Sequence, residues 1–241
     1  MRTFGLIGYP LTHSFSPRYF KDKFKKEGVL NSEYKTFELN SINDFENLLI
    51  KTNPVGLNVT IPYKKDIIAL LDHLSPEAKR IGAVNTIKIE NDIRTGYNTD
   101  IYGFQHSLLN LVGNNIPKNA LILGTGGAAQ AIQYVLEELD ICYHNVSRKL
   151  GFLKYSDLDE AIIKSHALII NTTPLGTYPK SKTYPKIPYD FITKDHVLHD
   201  LVYNPPVTEF MKRGKKAGAK VKNGLEMLHL QAEKAWEIWN S

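Results

Sequence analysis

The residues best placed to do chemistry begin with Leu121-Ile122-Leu123-Gly124-Thr125-Gly126-Gly127-Ala128-Ala129, an apolar run that turns through G-x-G-x-x-A into a helix-forming stretch, 130–139. Between strand and helix these small residues have separate jobs. Gly124 permits the tight turn, Gly126 lets the backbone approach a pyrophosphate, and Ala129 allows the helix to pack closely on the sheet, while the helix start offers free N–H groups to an anion. The pattern predicts a dinucleotide site, against the plainer reading of a glycine-rich structural turn. Sites for the unphosphorylated dinucleotide place Asp or Glu ~20 residues on, at the end of the next strand. Here that place reads Val146-Ser147-Arg148-Lys149, without an acid. An arginine pairs with a ribose 2′-phosphate that a carboxylate would repel. The expected cofactor is therefore NADP, with merely solvated loop charges as the alternative.

The first half of the chain carries four polar motifs at predicted strand ends and helix starts, where ligand groups collect in α/β folds. His13-Ser14-Phe15-Ser16-Pro17 sets two hydroxyls around Phe15 that can serve a carboxylate or hydroxyl in one pocket. Ser16 before Pro17 reads equally as a helix N-cap followed by proline at the first helical position, whereas Ser14 has no capping role to fill. In Asn58-Val59-Thr60-Ile61-Pro62-Tyr63-Lys64, an extended backbone turns Asn58 and Thr60 to one side. Lys64 follows a proline that ends the strand, and alone it reads best as a solvated charge. The others are Gly82-Ala83-Val84-Asn85-Thr86 and Tyr97-Asn98-Thr99-Asp100. At a helix start, Asp100 is also explained by capping and the helix dipole.

The elements that must position these residues alternate along the chain. Strands are expected at 4–8, 33–39, 55–59, 84–90 and 93–97, the last two as a hairpin across Asn91-Asp92, with helices at 17–27, 42–51 and 101–112. The second half continues with strands at 119–123, 141–146, 167–170, 197–200 and 219–222 and helices between most of them, the pattern of a parallel, doubly wound sheet. Residues 177–189, rich in Pro, Lys and Tyr, read as an irregular surface loop, and 225–239 as an amphipathic helix. The expected fold is α/β, with an N-terminal α/β substrate-binding domain, residues 1–99 plus the C-terminal helix at 223–241. The C-terminal Rossmann dinucleotide-binding domain is expected at 100–222, with a cleft between the two.

Bulk properties narrow the function classes. With 241 residues, 42% hydrophobic and 23% charged, the chain has room for two cores and the composition of a globular protein. No apolar run approaches the ~20 residues of a membrane span, and the N-terminus reads as a strand rather than a signal peptide. A single cysteine, Cys142, rules out an intrachain disulfide, points to a reducing cytoplasmic setting, and is expected to pack in a buried strand. The net charge of +5 is spread over basic runs such as Lys21, Lys23, Lys25, Lys26 and Lys212, Arg213, Lys215, Lys216. These read as solvated helix faces; they also suit anionic small molecules, and no nucleic-acid motif accompanies them. The eight histidines show no metal-ligand cluster.

Taken together, the motifs resemble the shikimate dehydrogenase family from end to end. The likeness rests on the four motifs of the first half and on Gly124 to Ala128. It rests also on Asn171-Thr172-Thr173-Pro174-Leu175-Gly176, Asp200-Leu201-Val202-Tyr203-Asn204-Pro205, and Gly224-Leu225 through Met227-Leu228 to Gln231. The resemblance implies reversible, NADPH-dependent reduction of 3-dehydroshikimate to shikimate, in chorismate and aromatic amino acid biosynthesis. It implies that Ser14 and Ser16 bind the substrate carboxylate, and that Asn58, Thr60, Asn85, Asp100 and Gln231 hold the ring hydroxyls, with Tyr203 nearby. Lys64 and Asp100 would form the catalytic pair. Gly126, Gly127 and Ala128 would meet the pyrophosphate, with Gly124 in the same cofactor-binding turn, and Ser147, Arg148 and Lys149 would lie on the 2′-phosphate side. Asn171, Thr172, Thr173 and Gly224 would lie by the nicotinamide. Two departures stand out: Thr12 replaces the family's usual lysine, and Ser147-Arg148-Lys149-Leu150-Gly151 is a shortened cofactor loop with one arginine.

The mechanism implied is direct hydride transfer to the ring ketone, with Lys64 as general acid, and general base in reverse, oriented by Asp100. The partner expected is a small molecule, with no nucleic acid or membrane, on a monomer or homodimer. Two readings stay beside it: a quinate/shikimate dehydrogenase with relaxed cofactor use, and a non-catalytic shikimate-sensing protein of the same fold.

Overall fold

The computed structural model describes residues 1–11 and 14–241; Thr12 and His13, both singled out above, lie outside the described residues. The chain divides into two compact units, residues 1–99 with 232–241, and residues 100–231.

The first unit opens with β1 (Arg2–Gly8), α1 (Ser16–Lys26), β2 (Ser32–Glu38), α2 (Phe45–Thr52) and β3 (Gly56–Val59). β4 (His73–Leu74), α3 (Pro76–Ile81), β5 (Thr86–Glu90) and β6 (Ile93–Tyr97) follow. They build one mixed sheet in the order β2-β1-β3-β5-β6-β4. β1 runs parallel to both β2 and β3, and β3, β5 and β6 pair antiparallel. Local chemistry sets the short elements: Ser75 caps α3 by accepting from the Ala78 amide at 3.2 Å, Pro76 fills its first turn, and Gly82 ends it at φ 67°. β4 and α3 are too short for a periodic signal and were not expected. The predicted helix at 42–51 is a 3-10 turn, Ile42–Asp44, running into α2.

The second unit carries α4 (Asp100–Val112), β7 (Asn119–Leu123), α5 (Gly127–Glu138), β8 (Cys142–Val146), α6 (Glu160–Ser165) and β9 (Leu168–Asn171). It continues through β10 (Val197–Asp200), α7 (Glu209–Lys216), β11 (Lys220–Lys222) and the start of α8 (Leu225–Asn240). Its five strands are all parallel, in the order β11-β10-β9-β7-β8. This is the doubly wound arrangement expected, and the strand order reverses between β7 and β9, where such sheets bind ligands. The core on one face joins Phe104 and Leu108 of α4 to Ile132, Val135 and Leu136 of α5. The last turns of α8 belong to the first unit, where Trp239 and Trp236 pack with Phe4, Phe20 and Phe24, and the Trp239 indole donates to the Ile87 carbonyl at 2.9 Å. Each such aromatic pair adds about 0.5–1.5 kcal/mol beyond burial. Among the described residues no helix is long and apolar enough to cross a membrane.

Three local expectations need correcting. Cys142 is exposed, not core: β8 is an edge strand, and its alternate side chains face solvent. Ser16 is not an N-cap; it is the first residue of α1, preceded by Phe15 in a helical conformation, and no side chain caps that helix. Residues 177–189 are irregular as expected, yet not simply surface, since Ile187 is buried among Leu158, Ile192 and Phe210.

Candidate active site

In the first unit the predicted polar residues collect at one end of the β1–β3–β5 strands. Asn58, on β3, is buried; its amide donates to the Asn85 carbonyl and to Thr86 Oγ1, both at 3.3 Å, and its Oδ1 accepts from the Tyr34 hydroxyl at 2.7 Å. Asn85 is equally buried and fastens the start of β5 to the end of β6. Its Oδ1 accepts from the Thr99 amide at 2.7 Å and its Nδ2 donates to Thr99 Oγ1 at 3.0 Å, while Thr86 Oγ1 donates to Oδ1 at 3.1 Å. Buried amides in so complete a network hold one orientation, because any rotation would leave a polar atom unpaired at a cost of about 1–3 kcal/mol. Thr60 follows β3, its amide donating to the Ile7 carbonyl at 2.9 Å. The next turn closes through Tyr63, whose amide reaches the Thr60 carbonyl at 3.0 Å and whose hydroxyl donates to the Leu39 carbonyl at 2.5 Å. Lys64 comes immediately after, half-buried, its carbonyl accepting from the Val84 amide at 2.7 Å. The backbone under this lysine is thus fixed on both sides. Ser14 donates to the Leu11 carbonyl at 3.0 Å.

Tyr34 is the residue that sequence reasoning missed. Its phenol donates to Asn58 Oδ1, and burial pushes its pKa up against a smaller opposing influence of Ser16, so it stays a neutral donor. The ring stacks on Phe20 at 4.6 Å and 12°. A predicted substrate residue on β3 is therefore held by a hydroxyl from β2. A Tyr among Ser32, Thr36 and Glu38 on the same face of β2 is the only trace in the sequence.

The second unit places Asp100 at the first residue of α4, half-buried. One turn on, Gly103 admits α8: a Cβ there would lie 2.4 Å from the Met227 carbonyl oxygen and 3.1 Å from Gln231 Cβ. This contact sets buried Gln231, whose Nε2 donates to the Leu228 carbonyl at 2.9 Å, against the helix that Asp100 begins. Tyr203 is half-buried, and burial raises its pKa.

At the switch point of the parallel sheet lies a cavity of about 890 Å³. Gly124, Gly126, Ser147, Arg148, Lys149, Thr172 and Thr173 line it; Gly127, Ala128, Asn171 and Gly224 do not. Gly124 has φ +120°, and a Cβ there would meet Thr172 Oγ1 at 2.6 Å. The Thr172 amide and hydroxyl both donate to the Leu123 carbonyl, at 3.1 and 2.9 Å, locking the β7 and β9 turns together. At Gly126 and Gly127, by contrast, an added Cβ would meet nothing within 4 Å. Gly126 stands at the N-cap of α5, which has no side-chain cap, leaving the helix start to an anion. Asn171 has a structural duty: its Nδ2 donates to Asp200 Oδ1 at 2.9 Å and its Oδ1 accepts from Thr173 Oγ1 at 2.6 Å. Asp200 also accepts from Thr208 at 2.6 Å and from the Val202 amide at 3.0 Å, and burial pushes its carboxyl up to about 6. Gly224 is required by packing, since a Cβ there would stand 2.2 Å from the Leu201 carbonyl oxygen. Tyr155, Tyr184 and Lys186 also line the cavity and carried no sequence signal.

These features fit a phosphorylated dinucleotide. The glycine turn leaves open the space a pyrophosphate needs, the lining includes Arg148, Lys149 and Lys186, and no Asp or Glu is among it. Fold and site thus define a two-unit α/β protein whose second unit is built to bind such a cofactor.

Comparison with known proteins narrows this class. The model of the shikimate dehydrogenase substrate binding domain matches residues 6–87. The NADP(+) shikimate dehydrogenase of Clostridium beijerinckii is 42% identical, over 99% of this chain and 92% of its own. That of Methanococcus maripaludis strain S2 is 40% identical over 98% of this chain and 90% of its own. The crystal structure of the Aquifex aeolicus shikimate dehydrogenase superposes with a TM-score of 0.89 at 37% identity, covering 100% of this chain and 92% of that one. The Thermus thermophilus enzyme, solved in complex with NADP(H) and shikimate, gives 0.85 at 30% identity, covering 99% and 93%. The chain belongs to the shikimate dehydrogenase family.

Proposed function

We infer that this chain catalyses the reversible reduction of 3-dehydroshikimate to shikimate with NADPH, a step of aromatic amino acid biosynthesis. The observation that carries the reading is the likeness to NADP-dependent shikimate dehydrogenases over 98–99% of the chain. The carboxylate-free, cation-lined cavity at the switch point supports the cofactor assignment.

NADPH, when bound, supplies the hydride; the chain's own residues bind, orient and protonate. We assign residues 1–99 with the C-terminal helix at 223–241 to substrate and residues 100–222 to the dinucleotide. Ser14 and Ser16 hold the substrate carboxylate. The hydroxyl of Ser16 is free of capping duty. Asn58, Thr60, Asn85 and Gln231 take the ring hydroxyls, with Tyr203 nearby; the two asparagines are preorganised by their internal bonds, so little ordering is left to substrate binding. Lys64 delivers a proton from Nζ to the ketone oxygen as it becomes an alkoxide, and its charge stabilises that oxygen beforehand. Asp100 orients the lysine and bonds the neighbouring hydroxyl. The chain works in the cytoplasm as a monomer or homodimer, with no nucleic-acid or membrane partner.

The test is the initial rate of dinucleotide reduction with shikimate or quinate, each with NADP and NAD. Shikimate with NADP is expected to be the fastest combination. Faster turnover of quinate would reassign the substrate, and binding of shikimate without turnover would leave a sensor.

A further inference from the structure

The segment between β9 and β10 has no role in the reaction as described, yet it sends Tyr184 and Lys186 into the lining of the cofactor cavity. The presentation is rigid. Pro185 and Ile187 are buried on either side of exposed Lys186, the Tyr189 hydroxyl donates to the Pro185 carbonyl at 2.9 Å, and the Ile187 amide donates to the same carbonyl at 3.1 Å. The Lys186 ammonium lies 4.0 Å from the centroid of the Tyr184 ring, and the Arg213 guanidinium lies 4.0 Å from the same centroid. Both hold the Tyr184 phenol below its usual pKa. An aromatic face restrains an otherwise mobile ammonium and leaves its charge unneutralised.

Counter-charge is what this wall lacks. Among the described residues none of Arg148, Lys149 and Lys186 forms an ion pair with a carboxylate, and no Asp or Glu lines the cavity. Glu209, whose charge is felt at Tyr184, pairs with Lys212 at 2.7 Å. Three uncompensated cations from two separate segments therefore share one cavity, beside the end of the second strand where a bound ribose lies. A doubly charged phosphate monoester is the chemical complement of that arrangement.

Resting on the NADP reading above, we propose that Lys186 is a specificity-determining residue that forms the second wall of the 2′-phosphate subsite opposite Arg148 and Lys149, with Tyr184 holding its ammonium in place. The segment at 177–189 thereby becomes part of the cofactor site.

The test is calorimetric titration of wild type, Lys186→Ala and Lys186→Arg with 2′,5′-ADP and with 5′-AMP, two ligands that differ only in the 2′-phosphate. Lys186→Ala is expected to weaken 2′,5′-ADP about tenfold, the loss of one charge-assisted contact at an exposed site, and to leave 5′-AMP within about twofold; Lys186→Arg should restore most of the difference. Equal weakening of both ligands, or of neither, overturns the proposal while a preference of the wild type for 2′,5′-ADP would leave the NADP reading standing. A wild type that bound both ligands alike would remove the subsite and the NADP assignment together.

Discussion

Replacing Gly126 with alanine adds a methyl group where no heavy atom lies within 4 Å, at φ −81° and ψ −176°, a conformation open to any residue. Folding stability should stay within about 0.5 kcal/mol of wild type or rise slightly, because alanine narrows the unfolded ensemble. The empty space is where the backbone must approach the pyrophosphate. Overlap with the new methyl is expected to cost about 1–3 kcal/mol, weakening NADP roughly 10- to 100-fold. Gly124→Ala, two residues earlier, should do the opposite damage first. At φ +120° a side chain is strained by about 1–3 kcal/mol. Its Cβ would also lie 2.6 Å from Thr172 Oγ1 and disturb the bond from that hydroxyl to Leu123, adding about 1 kcal/mol. At about 2–4 °C per kcal/mol for a chain of this size, the melting temperature should fall by roughly 5–15 °C. Thermal melts without ligand, followed by NADP titration of each variant, separate the two effects. A Gly126→Ala protein that melted as low as Gly124→Ala, or bound NADP like wild type, would refute the division between space kept for cofactor and space closed by the fold.

Buried His199 bonds Ser107 at 3.1 Å, and burial lowers its pKa to about 3. An unfolded histidine takes up its proton near pH 6.5, so between about 6.5 and 3 the unfolded state binds more protons and stability falls as pH falls. Neighbouring Asp200, raised to about 6, has the opposite linkage: the folded state holds its proton first, which favours folding as pH drops from about 6 to 4. The two nearly cancel in that window, so His199→Gln should gain on wild type by about 2 kcal/mol between pH 6.5 and 5 in urea unfolding; a constant difference would contradict the buried, neutral imidazole. Tyr34→Phe removes the hydroxyl that donates to Asn58 Oδ1. A several-fold rise in the shikimate KM with little change in kcat is expected from steady-state kinetics, and an unchanged KM would reduce Tyr34 to packing.

The parallel sheet was legible because its strands are uninterrupted apolar runs between helical periods, as at Leu121 to Leu123 and Leu168 to Ile170, all fully buried. The glycine turn was legible because only small residues satisfy it. What escaped reading depends on distance in sequence. Asn85 and Thr99 are 14 positions apart and Tyr34 and Asn58 are 24, and nothing local announces that they share protons. Cys142 misled because a β-rich, half-apolar segment does not reveal that its strand lies at the sheet edge. Lys186 was hidden in a segment without periodicity, where alternating burial of Pro185 and Ile187 is set by tertiary contacts rather than by local preference. Asn171 and Gly224, in contrast, were visible as motif residues, but the structure gives both of them packing and hydrogen-bonding duties.

In the proposed reaction Lys64 moves a proton while NADP exchanges hydride with the substrate. The direct test is shikimate-dependent NADPH formation by wild type and Lys64→Ala, alongside shikimate binding and melting of both. Turnover by wild type is expected, with a fall in kcat of roughly 10²–10⁴-fold in Lys64→Ala and a variant that still folds and binds shikimate. A well-folded Lys64→Ala protein with near-wild-type kcat would contradict it.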